Sequence, residues 1–216
     1  MQWRLLLRRG PLKSFTIVGD VAQASAAAAT TDWSDALTPV FGDSWRLEEL
    51  TVNYRTPAQI ASAAESMAIA HGLTVTRSQS VRASEWPVDI VETGGPETAD
   101  VAATVSRIIR ADRAIDAVGT LAVIASASAA DDLYTQLAQE LGTAVGRGAT
   151  GLRRAVAVLT PQESKGLEFD TAVVVEPQLI VDELQRGAAA LYVAMTRPTQ
   201  RLHLVASRGI PRGIRA

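Results

Sequence analysis

Four side chains pose the chemical question in this 216-residue chain: Arg55, Arg197, Glu168 and Gln23. A guanidinium is a planar fork of donors that can engage two phosphate oxygens at once. Arg55 follows Tyr54, whose ring face suits a purine, and Arg197 ends an apolar run directly before Pro198. Glu168 comes after a polar turn carrying Gln162, Glu163, Ser164, Lys165 and Gly166. Gln23 stands three residues beyond Asp20, in a Gly-Asp-x-x-Gln phrase. Each residue also has a plainer reading. Arg197 suits a helix C-terminus, where the macrodipole favours a cation. Glu168 fits a solvated strand start, Arg55 a pairing with a nearby carboxylate, and Tyr54 a place under a helix.

The elements that must position these groups follow from the apolar pattern. Val156–Leu159 reads as a strand that breaks at Thr160-Pro161, and Thr171–Val175 as a strand buried on both faces. Ala188–Met195 is an apolar helix stopped ahead of Pro198. Upstream, Met1–Arg9 reads as the end of an amphipathic helix, and Ser14–Val18 as a short strand running into Gly19-Asp20. Leu47, Leu50 and Val52 suggest a strand-like approach to Asn53-Tyr54-Arg55. A helix then begins at Thr56-Pro57, with Thr56 as N-cap, Pro57 at the first helical position and Ile60, Ala64 and Met67 on its buried face.

The middle of the chain alternates. Extended stretches are expected around Val75 and Val88–Val91, a helix over Glu97–Ala111, a buried strand over Leu121–Ala125 and a helix over Ala129–Leu141 ended by Gly142. Such alternation predicts an α/β fold with a parallel, doubly wound sheet. Ligands of these sheets sit along the edge formed by the carboxyl ends of the strands. Arg55 and Arg197 are both expected to project from that edge.

In this order the motifs resemble those of superfamily 1 helicases of the UvrD/Rep group, including the HelD-like ATPases. QESKGLEFD resembles the fifth helicase motif, ALYVAMTRP the sixth, LTVNYRTP the fourth and FTIVGDVAQ the third. The resemblance implies a RecA-like second motor domain over residues 46–216, preceded by a remnant of the first motor domain over residues 1–45. It implies that Gln23 senses the γ-phosphate of ATP, that Arg55 and Arg197 reach the same phosphate, and that Tyr54 stacks on adenine. Glu168 would contact the ribose, and Asp20, Lys165 and Gly166 would complete the nucleotide side. Thr160 and Gln162 would be weaker nucleic-acid contacts.

Two departures qualify the resemblance. DNA-translocating relatives continue the third motif into aromatic residues that stack on bases, whereas Ala24–Thr31 holds only Ala, Ser and Thr. Roughly a hundred residues separate the fourth and fifth motifs, a length the sheet itself consumes, so the large inserted subdomain of the Rep/UvrD helicases is not expected.

A phosphate-binding loop requires Gly-Lys before Ser or Thr. Lys13 and Lys165 are the two lysines, and neither follows a glycine. The nearest imitation of a magnesium-binding Asp-Glu pair, Asp182-Glu183, lies between the fifth and sixth motifs, and Leu184 continues its apolar pattern into a helix. The expectation is therefore a C-terminal motor fragment, inactive as an ATPase by itself and holding no cofactor tightly. ATP and Mg2+ would serve the intact protein. The partners would be the first motor domain of the same polypeptide, and either DNA or RNA polymerase. No Cys and only two His argue against a thiolate or histidine metal site, and no metal ligands are assigned. The net charge of −2 speaks against a uniformly basic nucleic-acid surface. With no apolar run of ~20 residues and no signal-peptide pattern, a cytoplasmic protein is expected, away from the membrane.

Overall fold

The computed structural model describes residues 7–10, 14–24, 30, 32–94 and 98–214. Its frame is a six-stranded, all-parallel sheet in the order β3-β8-β7-β4-β6-β5. The strands are β3 (Asp89–Glu92), β4 (Leu121–Ile124), β5 (Val145–Arg147), β6 (Val156–Leu159), β7 (Phe169–Val175) and β8 (Pro198–Ala206). A separate two-stranded parallel pair joins β1 (Val52–Asn53) to β2 (Gln79–Ser80).

Strand side chains alternate between faces, and both faces of this sheet are buried. On one face Ala122, Ile124, Leu159, Ala172, Val174 and Leu204 pack under three helices: α2 (Ala58–Ala70), α7 (Pro177–Glu183) and α8 (Gly187–Met195). On the other, Leu121, Val123, Val156, Val158, Val173 and Val205 pack under α3 (Thr98–Ile115) and α4 (Ala127–Leu141). This explains why β4, β6 and most of β7 read as unbroken apolar runs. Further helices are α1 (Trp33–Phe41) and two single turns, α5 (Gly148–Gly151) and α6 (Pro161–Ser164). Gly187, at the start of α8, stands against the backbone carbonyls of Ile180 and Val181, where any Cβ would collide. That contact sets how closely α8 packs on α7.

The doubly wound sheet and its central elements match expectation. Several local expectations do not. Residues 14–18 form no strand, and Val18 is exposed. An extended segment gains ladder hydrogen bonds only beside a partner strand, and none of the described strands pairs with it. Likewise only Val52 and Asn53 of the Leu47–Asn53 stretch are in a strand, and Leu47 and Leu50 face solvent. No strand forms at Val75. Thr56 does not cap α2: Pro57 is the N-cap, and the Thr56 amide is held instead by Asn53 Oδ1 at 3.0 Å. Leu184 ends α7 rather than extending it. Of the expected N-terminal helix, residues 7–9 are helical and Met1–Leu6 lie outside the described residues, as does most of Ala24–Thr31. Among the described residues no helix is long and apolar enough to cross a membrane.

Candidate functional site

The predicted groups converge where β7 and β8 begin. Phe169 and Pro198 are register partners at the amino ends of these neighbouring strands, so the residues just before them, Glu168 and Arg197, are brought side by side. Arg55 reaches the same place from the bend between β1 and α2. Its Nη1 donates to Glu168 Oε1 at 3.0 Å and its Nη2 to the Thr196 carbonyl at 3.3 Å. Gln23 arrives on a single 3-10 turn, Val21–Gln23, anchored by Ala22 in the core beside α8. Asp20 caps this turn by accepting from the Ala22 amide at 2.9 Å and holds Gln23 Nε2 at 2.9 Å.

Arg197 is 2% exposed and its donors are already engaged. Nε donates to Val193 O at 2.8 Å, Nη1 to Leu167 O at 3.2 Å and Nη2 to Thr196 Oγ1 at 3.0 Å. Gln23 Oε1 lies 3.5 Å from Nη2. The helix-end carbonyls of α8 thus orient the guanidinium, consistent with a cation at a helix C-terminus. Burial, reinforced by the charge of Arg55, lowers the Arg197 pKa to about 10, against the opposing pull of Glu168, Tyr192 and Asp20. Arg197 stays charged at neutral pH. Burial also pushes the Tyr192 phenol up to about 12, so this α8 residue is a packed neutral side chain.

Lys165 adds a third cation, donating from Nζ to the Gln23 carbonyl at 2.9 Å. Gly166 follows it with φ +81°, a backbone region glycine enters without steric cost. Tyr54 is 72% exposed beside Arg55, its ring open to solvent. Gln23, Asp20, Arg55, Lys165, Glu168 and Arg197 therefore form one connected group, with Tyr54 at its margin. Three cations face two carboxylates, which leaves a net charge suited to an anion.

The site lies at the opposite edge of the sheet from the one expected. Arg197 and Glu168 precede β8 and β7, whereas the usual ligand edge is formed by the carboxyl ends. At that edge the chain's own carboxylates occupy the amides. Glu183 accepts from the Ala127 and Ser128 amides at 3.1 and 2.9 Å, at the start of α4. Glu176 follows β7 with φ +49° and accepts from the Ser207 and Arg208 amides at 2.9 and 3.3 Å. Glu163 accepts from the Thr160 amide at 2.7 Å after β6. N–H groups that could face a phosphate already have anionic partners.

Thr160 and Gln162 belong to this carboxyl edge, remote along the strands from the Arg197 group. Thr160 is buried and its Oγ1 accepts from the Glu163 amide at 3.2 Å, completing a capping box around α6. Gln162 is exposed. Three residues not singled out from sequence matter here. Thr196 supplies its carbonyl to Arg55 and its hydroxyl to Arg197. Arg147 holds Glu163 through Nη1 at 2.6 Å and Asp131 through Nε at 2.7 Å. Arg201, paired to Asp112 at 2.7 Å, is buried inside the sheet–α3 layer. The pairing of Arg201 had one sequence signal, a cation on the same strand face as buried Val205.

Among the described residues no cluster of three or more His, Asp or Glu could hold a metal ion. The UvrD-like helicase C-terminal domain family matches residues 155–205. That span covers β6, the α6 turn, β7, α7, α8 and most of β8, including Lys165, Gly166, Glu168 and Arg197. No curated protein matches the chain. Among solved structures, the C-terminal domain of a possible DNA helicase from Lactobacillus plantarum aligns with TM-score 0.53 at 22% identity, covering 75% of this chain and 92% of that one. At that identity the likeness shows the fold alone. The SWI2/SNF2 ATPase core of Sulfolobus solfataricus, determined with double-stranded DNA, aligns with TM-score 0.41 at 13% identity over 74% of this chain and 34% of its own, too distant to carry an argument. The sheet has the RecA-like fold, and residues 155–205 are similar to the UvrD-like helicase C-terminal domain.

Proposed function

We propose that this chain supplies the second half of an interdomain ATP site in a UvrD-like motor that translocates on or unwinds DNA. The observation that supports this best is the meeting of Gln23, Arg55, Glu168 and Arg197, from four separate segments, at one edge of the sheet. In the proposed complex a first motor domain of the same polypeptide holds ATP and Mg2+. Arg55 and Arg197 approach the terminal phosphate, where charge stabilisation acts mainly in the transition state. Gln23 senses that phosphate from the 3-10 turn, Glu168 faces the ribose and Tyr54 lies against adenine. The chain alone, with no Gly-Lys phosphate loop, turns over no ATP.

The experiment is steady-state ATP hydrolysis by a polypeptide carrying both motor domains, comparing wild type with Tyr54→Ala. A stacking contact is similar in ground and transition states, so KM rises while kcat stays near wild type. Unchanged KM removes Tyr54 from the site.

A second reading is supported by the chain's economy between Arg55 and Thr160. The described residues there build α2, β2 and the strands β3, β4, β5 and β6 of the main sheet with helices α3, α4 and α5, leaving no separate inserted subdomain among them. That suits a HelD-like ATPase acting on RNA polymerase. Binding to core RNA polymerase, together with weak fluorescence anisotropy on single-stranded DNA at near-physiological salt, supports this reading. Sub-micromolar DNA binding with a steep salt slope supports the helicase instead.

A further inference from the structure

Arg55 is held differently from Arg197. Arg197 is embedded among backbone carbonyls, whereas Arg55 has one anionic partner, the Glu168 carboxylate at 3.0 Å. Both members of that pair are partly open to solvent, with side chains 38% and 53% exposed. Arg55 Nη2 is on the Thr196 carbonyl, and its Nε is buried without a partner. A phosphate oxygen approaching this guanidinium therefore meets a fork whose outward prong is already taken by a negative charge. It must displace Glu168 from Nη1 or bind beside it against like-charge repulsion.

We propose that Glu168 is an anionic gate on Arg55, holding the guanidinium in place when the site is empty and yielding Nη1 to a polyphosphate oxygen when one binds. This rests on the nucleotide half-site proposed above and deepens it. The gate makes Glu168 a positioning residue that lowers affinity for every polyphosphate, with or without a sugar. A ribose contact would do the reverse, raising affinity only for ligands that carry the sugar. Tripolyphosphate, which lacks both sugar and base, separates the two.

The test is isothermal titration of this chain with sodium tripolyphosphate and with ATP, at fixed ionic strength and pH 7. Wild type, Glu168→Gln, Arg55→Gln and the double variant are compared. Glutamine preserves the shape of the side chain and an oxygen acceptor for Arg55 while removing the charge. Because the pair is partly exposed, the gain is modest: Glu168→Gln binds tripolyphosphate about 3- to 10-fold tighter than wild type. That gain disappears when Arg55 is also replaced. Tripolyphosphate binding that is unchanged or weaker in Glu168→Gln overturns the gate, and a selective loss of ATP affinity assigns Glu168 to the ribose. A gain that persists without Arg55 also overturns it, since the effect would then be general surface charge. If neither wild type nor Glu168→Gln binds tripolyphosphate, the gate falls, while the half-site reading is decided separately by the kinetics of the polypeptide carrying both motor domains.

Discussion

Arg147 Nη1 and Glu163 Oε2 lie 2.6 Å apart and tie the edge strand β5 to the turn that leads toward Lys165 and Glu168. The same carboxylate accepts from the Thr160 amide, and Arg147 also grips Asp131. One side chain thus fixes where the segment from Thr160 to Glu168 leaves the carboxyl edge and crosses to the amino edge, where Arg197 lies. Arg147→Ala should cost about 1–2 kcal/mol, because charged hydrogen bonds are lost but the site is partly solvated. Urea unfolding at pH 7 measures this. A shift within experimental error would mean that the turn is held by its capping box alone.

Acid should act through the same carboxylate. Burial works to raise the Glu163 pKa, but the Thr160 amide, Arg147 and the Thr160 side chain outweigh it, and the pKa is lowered. Asp170 behaves alike, with burial overcome by the Thr120 amide and hydroxyl, Gln200 and Arg201. A carboxyl whose folded pKa lies below its unfolded value stabilises the fold above the unfolded value, and that stability is lost as pH falls through the folded one. The contribution of these two carboxylates to the urea midpoint should therefore be flat near neutrality and fall from about pH 4.5 downward. Glu163→Gln should be less stable at pH 7 and show a shallower acid limb. An identical acid limb in the variant would remove Glu163 from the titration.

The Asp112–Arg201 pair is a different case, since both side chains are 5% exposed. Thr171 Oγ1 donates to Asp112 at 3.0 Å and accepts from Arg201 Nε at 3.1 Å, while the Trp86 ring covers the guanidinium at 5.7 Å. Asp112→Ala leaves a buried cation without its counter-charge and should cost about 3–5 kcal/mol. Replacing Asp112 and Arg201 together with Leu and Met should cost less than the single change. A double variant at least as unstable as Asp112→Ala would show that the pair itself, rather than the orphaned charge, sets the stability.

The apolar rows were the legible part of the sequence. Leu121–Ile124, Val156–Leu159 and Thr171–Val175 announce strands covered on both faces, and Pro198 marks the end of α8 within a few residues. That Arg55, Glu168 and Arg197 come together was anticipated by motif order, because they sit at matching places in successive motifs. The edge was misassigned rather than hidden: in a parallel sheet a residue just before its strand, as Glu168 is before β7 and Arg197 before β8, stands at the amino edge, so the rule for ligands at carboxyl ends did not reach them. The roles of the glutamates at 163, 176 and 183 were hidden for a different reason. Their partners are amides, which every residue carries, so no side-chain pattern marks them. The isolated approach Leu47–Val52 misled because apolar content suggests a strand without saying whether a neighbour is there to pair with it.

The central claim is that Arg197 acts on a phosphate carried by a facing domain. The most direct measurement is the kcat and KM of ATP hydrolysis for Arg197→Ala in a polypeptide carrying both motor domains. Loss of a charge contact made in the transition state should lower kcat by at least ~10²-fold, with KM changed far less. Folding of the variant is checked by its urea midpoint, since Arg197 also anchors the end of α8. A well-folded Arg197→Ala enzyme with wild-type kcat would contradict the account and leave Arg197 as a cation that only closes a helix.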